Sequence, residues 1–455
     1  MQRRKFIQNA AIFGSLALID PMEIIAGTKA IIDFPIVRVA KNKRNFESEF
    51  IENTIAEFQK SVKDKELGWL FNNCFPNTLD TTVTYSQKNG RPDTYVITGD
   101  IDAMWLRDSS AQVWPYMAFA GKDLKLKNLI AGVINRQTEY ILKDPYANAF
   151  YNDPDKKGEW TTDHTDMKPG VHERKYEIDS LCYPIRLAYN YWKNTGDVAP
   201  FDENWVKAIK TTHKVFKEQQ QKDGKNPYTF QRTTQFATDT RPLKGYGYPV
   251  KPVGLVCSAF RPSDDATVFS FLIPSNFFLV ASMKQAAEML ETIKKDTATA
   301  KELRALAEEV EKAIKEHAVV KHPKYGNIFA FEVDGFGGHL LMDDSNVPSL
   351  LSLPYLDAID VNDPIYQNTR KFALSEDNPF FFKGKAAEGI GGPHCGMDMI
   401  WPMSLVMRAY TTSDKNEIKA CIRMEDVHLA QGLNYVVAYD LEKGLLLILV
   451  REVWR

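Results

Sequence analysis

Apolar residues recur every three or four positions along most of the chain, the spacing that places them on one face of an α-helix. In residues 46–58, for example, Phe50, Ile51 and Ile55 fall on the same face. The same spacing predicts eight further helices, over residues 126–142, 177–192, 205–221, 274–292, 301–317, 347–356, 363–373 and 400–410. Strand patterns are brief, over 81–86 and 328–333, and the apolar run 445–450 fits a core strand or helix.

Long loops rich in Gly, Pro, Asp and aromatic residues separate these helices, over residues 76–102, 145–174, 234–265, 325–346 and 377–398. Loops of this length are usually functional, because simple connections are much shorter. Helices alternating with such loops predict an all-α domain over residues 31–410. A toroid of paired helices, with the loops forming a cleft at one end, fits better than an irregular helical domain. Residues 411–455 would be an atypical tail of that domain.

Composition and charge exclude several classes of protein. The 455 residues include 57 basic and 59 acidic side chains and no long basic run, so nucleic acid is not an expected partner. Aromatic residues make up 12% of the chain, which suits both a core and a cleft that stacks against sugar rings. The five cysteines are far apart and form no CxxC pair, so a thiolate zinc site is not expected.

The N-terminus has the pattern of an export signal. Arg3, Arg4 and Lys5 precede a short apolar stretch over residues 10–19, and the paired arginines resemble a twin-arginine motif. Residues 1–30 are therefore predicted to direct export to the periplasm, although a basic, frayed N-terminus has the same composition. The apolar stretch is too short for a standard membrane span.

Groups able to bind or react with a polar substrate are concentrated in five segments. The segment 98–112 contains the first candidates, Asp102, Trp105, Arg107, Asp108 and Gln112. It combines carboxylate acceptors, a stacking surface and a rigid guanidinium with several donors. The structural alternative is that Asp108 and the serines after it cap a following helix.

The segment RPSDDA provides two adjacent carboxyl groups, Asp264 and Asp265. Burial near aromatic groups and a neighbouring negative charge both raise the pKa of a carboxyl, and glycoside hydrolysis needs one carboxyl that stays protonated near neutral pH. Asp179, at the start of a predicted helix beside Glu177, is a further candidate, although acids there also favour the helix dipole.

Two later segments complete the candidate set with Asn346, in MDDSN, and His394, in GGPHCG. A metal cluster could also be imagined, with the ligands Asp163, His164, Asp166 and His172, but their spacing matches no standard zinc motif. Carboxylate catalysis on a polyol substrate, without metal or cofactor, is the simplest account of the chemistry.

The segments TGDIDAMWLRDSSAQVWPY, YEIDSLCYPI, FRPSDDATVFSFLIPSN, LLMDDSNVPSLLSLPYL and GGPHCGMDMIWPMS together resemble the exo-α-1,6-mannosidases of glycoside hydrolase family 125. The resemblance extends from about residue 36 to about residue 410. It implies a six-fold α/α toroid and an inverting, metal-independent release of mannose from α-1,6-linked ends. One of Asp264 and Asp265 would be the general acid, without a preference between them.

The same resemblance implies contacts with the terminal mannose for residues of the first segment, Trp105, Arg107, Asp108 and Gln112. Asp179, Asn346 and His394 stand in matching segments and are expected to bind substrate, and Asp102 is expected to do so from the residue chemistry. The expected ligand is an α-1,6-linked mannoside oligosaccharide.

The end of the chain departs from the family. Members end with an HES-type motif, whose Glu is the general base, and with a WFAWAN-like helix. Neither motif occurs after Tyr410, and Glu425, His428 and Glu442 stand in no matching context. The base is therefore not identifiable from the sequence, and two alternatives stay open: a mannoside-binding protein with impaired catalysis, and another inverting α-glycosidase on the same fold.

Overall fold

A computed structural model describes residues 34–224, 226–385, 387–429, 435–440 and 445–450, with side chains described up to Met424. The chain divides into two units, Met1–Val37 and Arg38–Arg455. In the first unit only residues 34–37 are described, so the predicted export signal over residues 1–30 lies outside the described residues.

Helices are the predominant regular secondary structure of the second unit. Those within the described residues are α1 (Glu49–Ser61), α2 (Lys65–Cys74), α3 (Leu106–Val113), α4 (Leu124–Lys143), α5 (Ile178–Thr195), α6 (Glu203–Gln219), α7 (Ile273–Met289), α8 (Thr297–His317), α9 (Pro364–Ala373), α10 (Pro402–Tyr410) and α11 (Lys415–Leu429). The spacing of apolar residues located eight of these correctly; α2, α3 and α11 were not predicted.

The helix predicted over residues 347–356 is wrong, because this segment is a series of turns. The two carboxylate oxygens of Asp343 accept hydrogen bonds from the backbone N–H groups of Leu350 and Leu351 at 2.7 and 2.9 Å. Ser349 and Ser352 also accept bonds from each other's backbone N–H. Such local side-chain bonds compete with the helical pattern and stabilise turns.

The strands are short, and their pairings are antiparallel. They are β1 (Val83–Lys88), β2 (Arg91–Val96), β3 (Met104–Trp105), β4 (Ala149–Phe150), β5 (Val171–Glu173), β6 (Phe271–Leu272), β7 (Val319–His322), β8 (Gly326–Phe329), β9 (Glu332–Val333), β10 (His339–Leu340), β11 (Phe381–Lys383), β12 (Glu388–Ile390), β13 (Tyr435–Asp440) and β14 (Leu445–Val450). They form small sheets in the order β1-β2, β3-β4-β5, β10-β9-β6, β7-β8, β11-β12 and β13-β14. The apolar run 445–450 is thus a strand.

The helices form two layers, as expected for the predicted α/α toroid. Helices α3, α5 and α7 pack side by side in an inner layer, and α4, α6 and α8 pack side by side outside them. Helix α7 is apolar around most of its circumference and almost completely buried, whereas α8 keeps a charged face exposed. Helices α3 and α5 start at the same end of the toroid, which brings Arg107 close to Glu177 and Asp179.

No helix among the described residues is long and apolar enough to span a membrane.

Candidate active site

Arg107 lies at the centre of the carboxyl groups that the inner helices bring together. Its Nη1 donates to Oε2 of Glu177 at 2.5 Å and lies 3.5 Å from Oδ2 of Asp179. Its Nη2 lies 3.7 Å from Oδ1 of Asp264, and its Nε lies 3.7 Å from Oδ2 of Asp108. Helix α3 begins at Leu106 without a side-chain cap, so Asp108 lies in the first turn and not at the cap position.

Burial in such a cluster of acids disfavours the ionised form of a carboxyl, and an adjacent guanidinium opposes that effect. Burial raises the pKa of Glu177 well above its usual range, even though Arg107 lowers it. Burial also raises the pKa of Asp179 to about 6, against the same attraction to Arg107. Burial thus favours the protonated forms of these two neighbouring carboxyl groups.

Asp264 is held in an unusual conformation beside this cluster. Its φ of +67° lies in the left-handed region, which a residue with a side chain adopts only when its surroundings enforce it. Nδ2 of Asn148 donates to its Oδ1 at 3.3 Å, and Nζ of Lys175 donates to its backbone carbonyl at 3.0 Å. Burial and the negative charge of Glu173 raise the pKa of Asp264, outweighing Lys175 and Arg107.

Glu173 and Lys175 belong to a buried charge network that the sequence analysis missed. Burial alone raises the pKa of Glu173, yet the Lys175 and Arg232 cations lower it to about 2, so this residue is ionised. Nδ2 of Asn148 links it to Asp264, because it also donates to Oε2 of Glu173 at 3.0 Å. The signal in the sequence was a dense charge run, HERKYE, between apolar residues.

Asp265 has a different partner from its neighbour. It is 4% exposed, and its Oδ1 lies 3.7 Å from Nδ1 of His394. Burial alone lowers the pKa of His394, but the Asp265 carboxylate raises it above the usual value. Ser263 donates to the other oxygen of Asp265 at 3.4 Å. The two acids of RPSDDA therefore face separate surroundings.

A buried ion pair fixes the segment that carries these two acids. Nε of Arg261 donates to Oε1 of Glu332, in β9, at 2.7 Å, and both side chains are buried. The other oxygen of Glu332 accepts the backbone N–H groups of Val268 and Phe269, each at 2.9 Å. The RPSDDA segment is thus anchored on both sides to the same carboxylate.

A cavity of about 370 Å³ lies among α2, α3, α5 and α10, and four of the predicted residues line it: Arg107, Asp108, Gln112 and Asn346. Oδ2 of Asp108 and Oε1 of Gln112 are buried acceptors without a hydrogen-bond partner. Unsatisfied buried acceptors are uncommon, and a polyol ligand would supply the missing donors.

The structure places six of the ten predicted residues outside the cavity lining: Asp102, Trp105, Asp179, Asp264, Asp265 and His394. The Asp102 side chain is 69% exposed and pairs with Nζ of Lys156 at 2.9 Å. Trp105 is buried edge-on against the ring of His172, with 5.0 Å between ring centroids, and its Nε1 has no partner. Contact of either residue with substrate stays a prediction.

The residues considered for a metal cluster have other partners. Asp163 accepts from Nε of Arg232 at 2.8 Å, and Nδ1 of His172 bonds to the hydroxyl of Tyr151 at 2.8 Å. In the part of the chain that the structure describes, no group of three or more His, Cys, Asp or Glu side chains is arranged to hold a metal ion.

The chain is similar in sequence and in structure to known proteins. The family model described as metal-independent alpha-mannosidase (GH125) matches residues 64–436. The Meiotically up-regulated gene 157 protein of Schizosaccharomyces pombe is 42% identical over 408 residues, covering 85% of this chain and 80% of its own. A solved structure of a Streptococcus pneumoniae protein is 40% identical and has a TM-score of 0.82, covering 86% of this chain and 92% of its own. That protein is from a family of metal-independent alpha mannosidases, and its structure is a non-productive substrate complex with alpha-1,6-mannobiose. The chain therefore belongs to glycoside hydrolase family 125, the metal-independent α-mannosidases.

Proposed function

We propose that the protein is an exo-acting, inverting α-1,6-mannosidase that removes terminal mannose from mannan or N-glycan fragments, with Asp264 as its general acid. The observation that carries this proposal is the environment of Asp264. Its carboxyl has a raised pKa, is hydrogen-bonded to Asn148 and lies 3.7 Å from the Arg107 guanidinium. A neutral carboxyl in a preorganised polar site is what protonation of a leaving glycosidic oxygen requires.

The choice between the two neighbouring acids follows from their contacts. The Asp264 side chain is 16% exposed, so a substrate can reach it. Asp265 is more deeply buried, at 4% exposed, and its Oδ1 lies 3.7 Å from Nδ1 of His394. We therefore assign proton donation to Asp264 and orientation of His394 to Asp265.

The substrate assignment rests on the hydrogen-bonding groups of the cavity. Asp108 and Gln112 offer unsatisfied acceptors, and Arg107 and Asn346 offer donors, a combination that suits the hydroxyls of one pyranose. The related Streptococcus pneumoniae protein was captured with alpha-1,6-mannobiose, which supports the same linkage here.

The inverting mechanism also requires a carboxylate that activates water, about 6.5–9.5 Å from the acid. The family motif for that base is absent, and the match to the family model ends at residue 436. The side chains of Glu425, His428 and Glu442 lie outside those described. This departure favours a second candidate, a mannoside-binding protein whose turnover is slow.

Hydrolysis of a panel of mannobioses tests the proposed specificity. Purified protein is incubated with α-1,2-, α-1,3- and α-1,6-mannobiose, and released mannose is measured alongside calorimetric binding of the same disaccharides. The proposal predicts release from the α-1,6 isomer. Binding of that isomer without release supports the second candidate, and release from another isomer or an α-glucoside in preference supports a different α-glycosidase.

We also propose that the chain is exported to the periplasm. The proposal rests on the basic residues Arg3, Arg4 and Lys5 before the apolar stretch 10–19.

A further inference from the structure

Arg186, on the inner helix α5, is a buried cation outside the cluster around Arg107. It is 4% exposed, and its guanidinium carbon lies 3.6 Å from the ring centroid of Trp114 and 4.5 Å from that of Tyr355. Its Nη2 donates to the backbone carbonyl of Tyr355 at 2.9 Å, and its Nε has no hydrogen-bond partner. The two rings thus hold the planar group in place while leaving most of its donors unused.

Among the described residues Arg186 forms no ion pair with a carboxylate, in contrast to Arg107, which has four within 3.7 Å. Buried charges are normally paired, because removing an ion from water is costly. Stacking on two aromatic rings offsets part of that cost through cation–π attraction. Stacking does not satisfy the N–H groups in the plane of the guanidinium, so these donors still lack an acceptor.

Arg186 lines the same cavity as the proposed mannose-binding residues, but at a different depth. It follows Asp179 by seven residues on α5, which places it about 10 Å further along the helix at about 1.5 Å per residue. The cavity continues past it to Asn190 and Asn194, and Asn194 is exposed. A small ligand can therefore enter from the surface at the C-terminal end of α5.

The charges along the described cavity wall are Arg107, Asp108 and Arg186. Asp108 lies next to Arg107, so the part of the wall around Arg186 carries an uncompensated positive charge. A guanidinium fork presents two parallel N–H donors, and carboxylate and phosphate oxygens match that geometry.

We propose that Arg186 forms an oxyanion-binding site in the toroid cavity, separate from the Arg107 cluster, that binds a phosphate or carboxylate group. The Trp114 and Tyr355 rings orient the guanidinium so that its free edge faces the cavity. The anion is either a free small ion or a charged substituent of a mannoside bound further along the same cavity.

Calorimetric titration with inorganic phosphate at constant ionic strength tests the site. The full-length protein should bind phosphate with saturation at one site per chain. R186K keeps the charge but loses the fork and should bind more weakly, and R186M should not bind. R304M is the matched control, because Arg304 is partly exposed on α8 and forms an ion pair with the exposed Glu291, and it should bind as the unmodified protein does.

Absence of saturable binding in the unmodified protein would overturn the proposal, as would equal affinities in R186K and the unmodified protein. The comparison with R186K keeps the test decisive even where R186M fails to fold. Mannose 6-phosphate distinguishes the two sources of the anion. If mannose 6-phosphate binds much more tightly than inorganic phosphate does in the presence of mannose, the anion is a substituent of a mannoside. If mannose 6-phosphate binds no more tightly, the anion is a free ion.

Discussion

Adjacent carboxyl groups in a sequence need not share an environment. Burial and the charge of Glu173 raise the pKa of Asp264, whereas the Asp265 carboxyl lies beside His394. The sequence could not distinguish them, because the partners that separate them come from residues 148–175 and 394. At this scale, the backbone at Asp264 is left-handed, and the two neighbouring side chains have different partners.

Substitution of the proposed acid should depend on the leaving group. D264N should lower kcat on α-1,6-mannobiose by about 10²–10⁴-fold, because general acid assistance is worth that much. On 2,4-dinitrophenyl α-mannoside, whose leaving group needs no proton, the loss should be far smaller. D265N should lower both rates by the same factor. Equal losses on both substrates in D264N would contradict its assignment as the acid.

The ionised Glu173 should set the upper end of the pH range. A general acid works while protonated, so the rate falls as pH rises through its pKa. Because Glu173 raises the pKa of Asp264, E173Q should move that fall to lower pH. K175M removes a charge that lowers the same pKa and should move the fall to higher pH.

The pH dependence of kcat/KM measures both shifts. E316Q is the control, because Glu316 is exposed on α8 and pairs only with surface residues. Unchanged profiles in E173Q and K175M would show that this network does not tune the acid.

At the scale of elements, the periodic spacing located eight of the eleven helices among the described residues and missed α2, α3 and α11. It failed at α3, because the buried residues of that helix include Arg107, Ser109 and Ser110, which face a polar site. It also failed at 347–356, where Asp343 and two serines stabilise turns. Helix α3 and the segment 347–356 both lie next to the candidate site, where the local structure positions polar groups for a ligand more than it fills the apolar core.

The Arg261–Glu332 pair should be essential for holding the RPSDDA segment. E332A leaves a buried guanidinium and two backbone N–H groups without an acceptor, and it should destabilise the fold by about 3–5 kcal/mol. E291A removes an exposed partner of Arg304 and should change stability by less than about 1 kcal/mol. Urea unfolding followed by circular dichroism measures the two effects; comparable values would contradict the anchoring role.

The C-terminal tail should limit the rate. Replacement of residues 411–455 by a tail that carries an HES-type motif would supply a base and should raise kcat on α-1,6-mannobiose by about 10²–10⁴-fold. Binding affinity should change much less. Equal, full activity in both proteins would show that the native tail already provides a base.

At the scale of the whole molecule, the alternation of helices and long loops favoured a toroid of paired helices over an irregular helical domain, and the resemblance of the five segments to the family implied the six-fold α/α toroid. Arg107, Asp108, Gln112 and Asn346 line one cavity, and their contact with substrate stays a prediction. The charge run HERKYE marks Glu173 and Lys175, but Arg232, the ion-pair partner of Glu173, could not be predicted, because ion pairs between distant residues leave no local periodicity in a sequence.

Export is a property of the whole chain that can be tested separately. The double substitution R3K/R4K should leave the protein in the cytoplasm of a bacterial host with twin-arginine export, whereas R91K, in the folded domain, should not affect transport. Cell fractionation measures the distribution. Equal periplasmic yields of the two variants would contradict a twin-arginine signal.

The central claim is that this chain cleaves α-1,6-linked mannose with inversion. The most direct test is a proton NMR time course of α-1,6-mannobiose hydrolysis at high enzyme concentration, before mutarotation equilibrates the anomers. We predict that β-mannose accumulates first. Initial release of α-mannose, or no release while the disaccharide is bound, would contradict the claim.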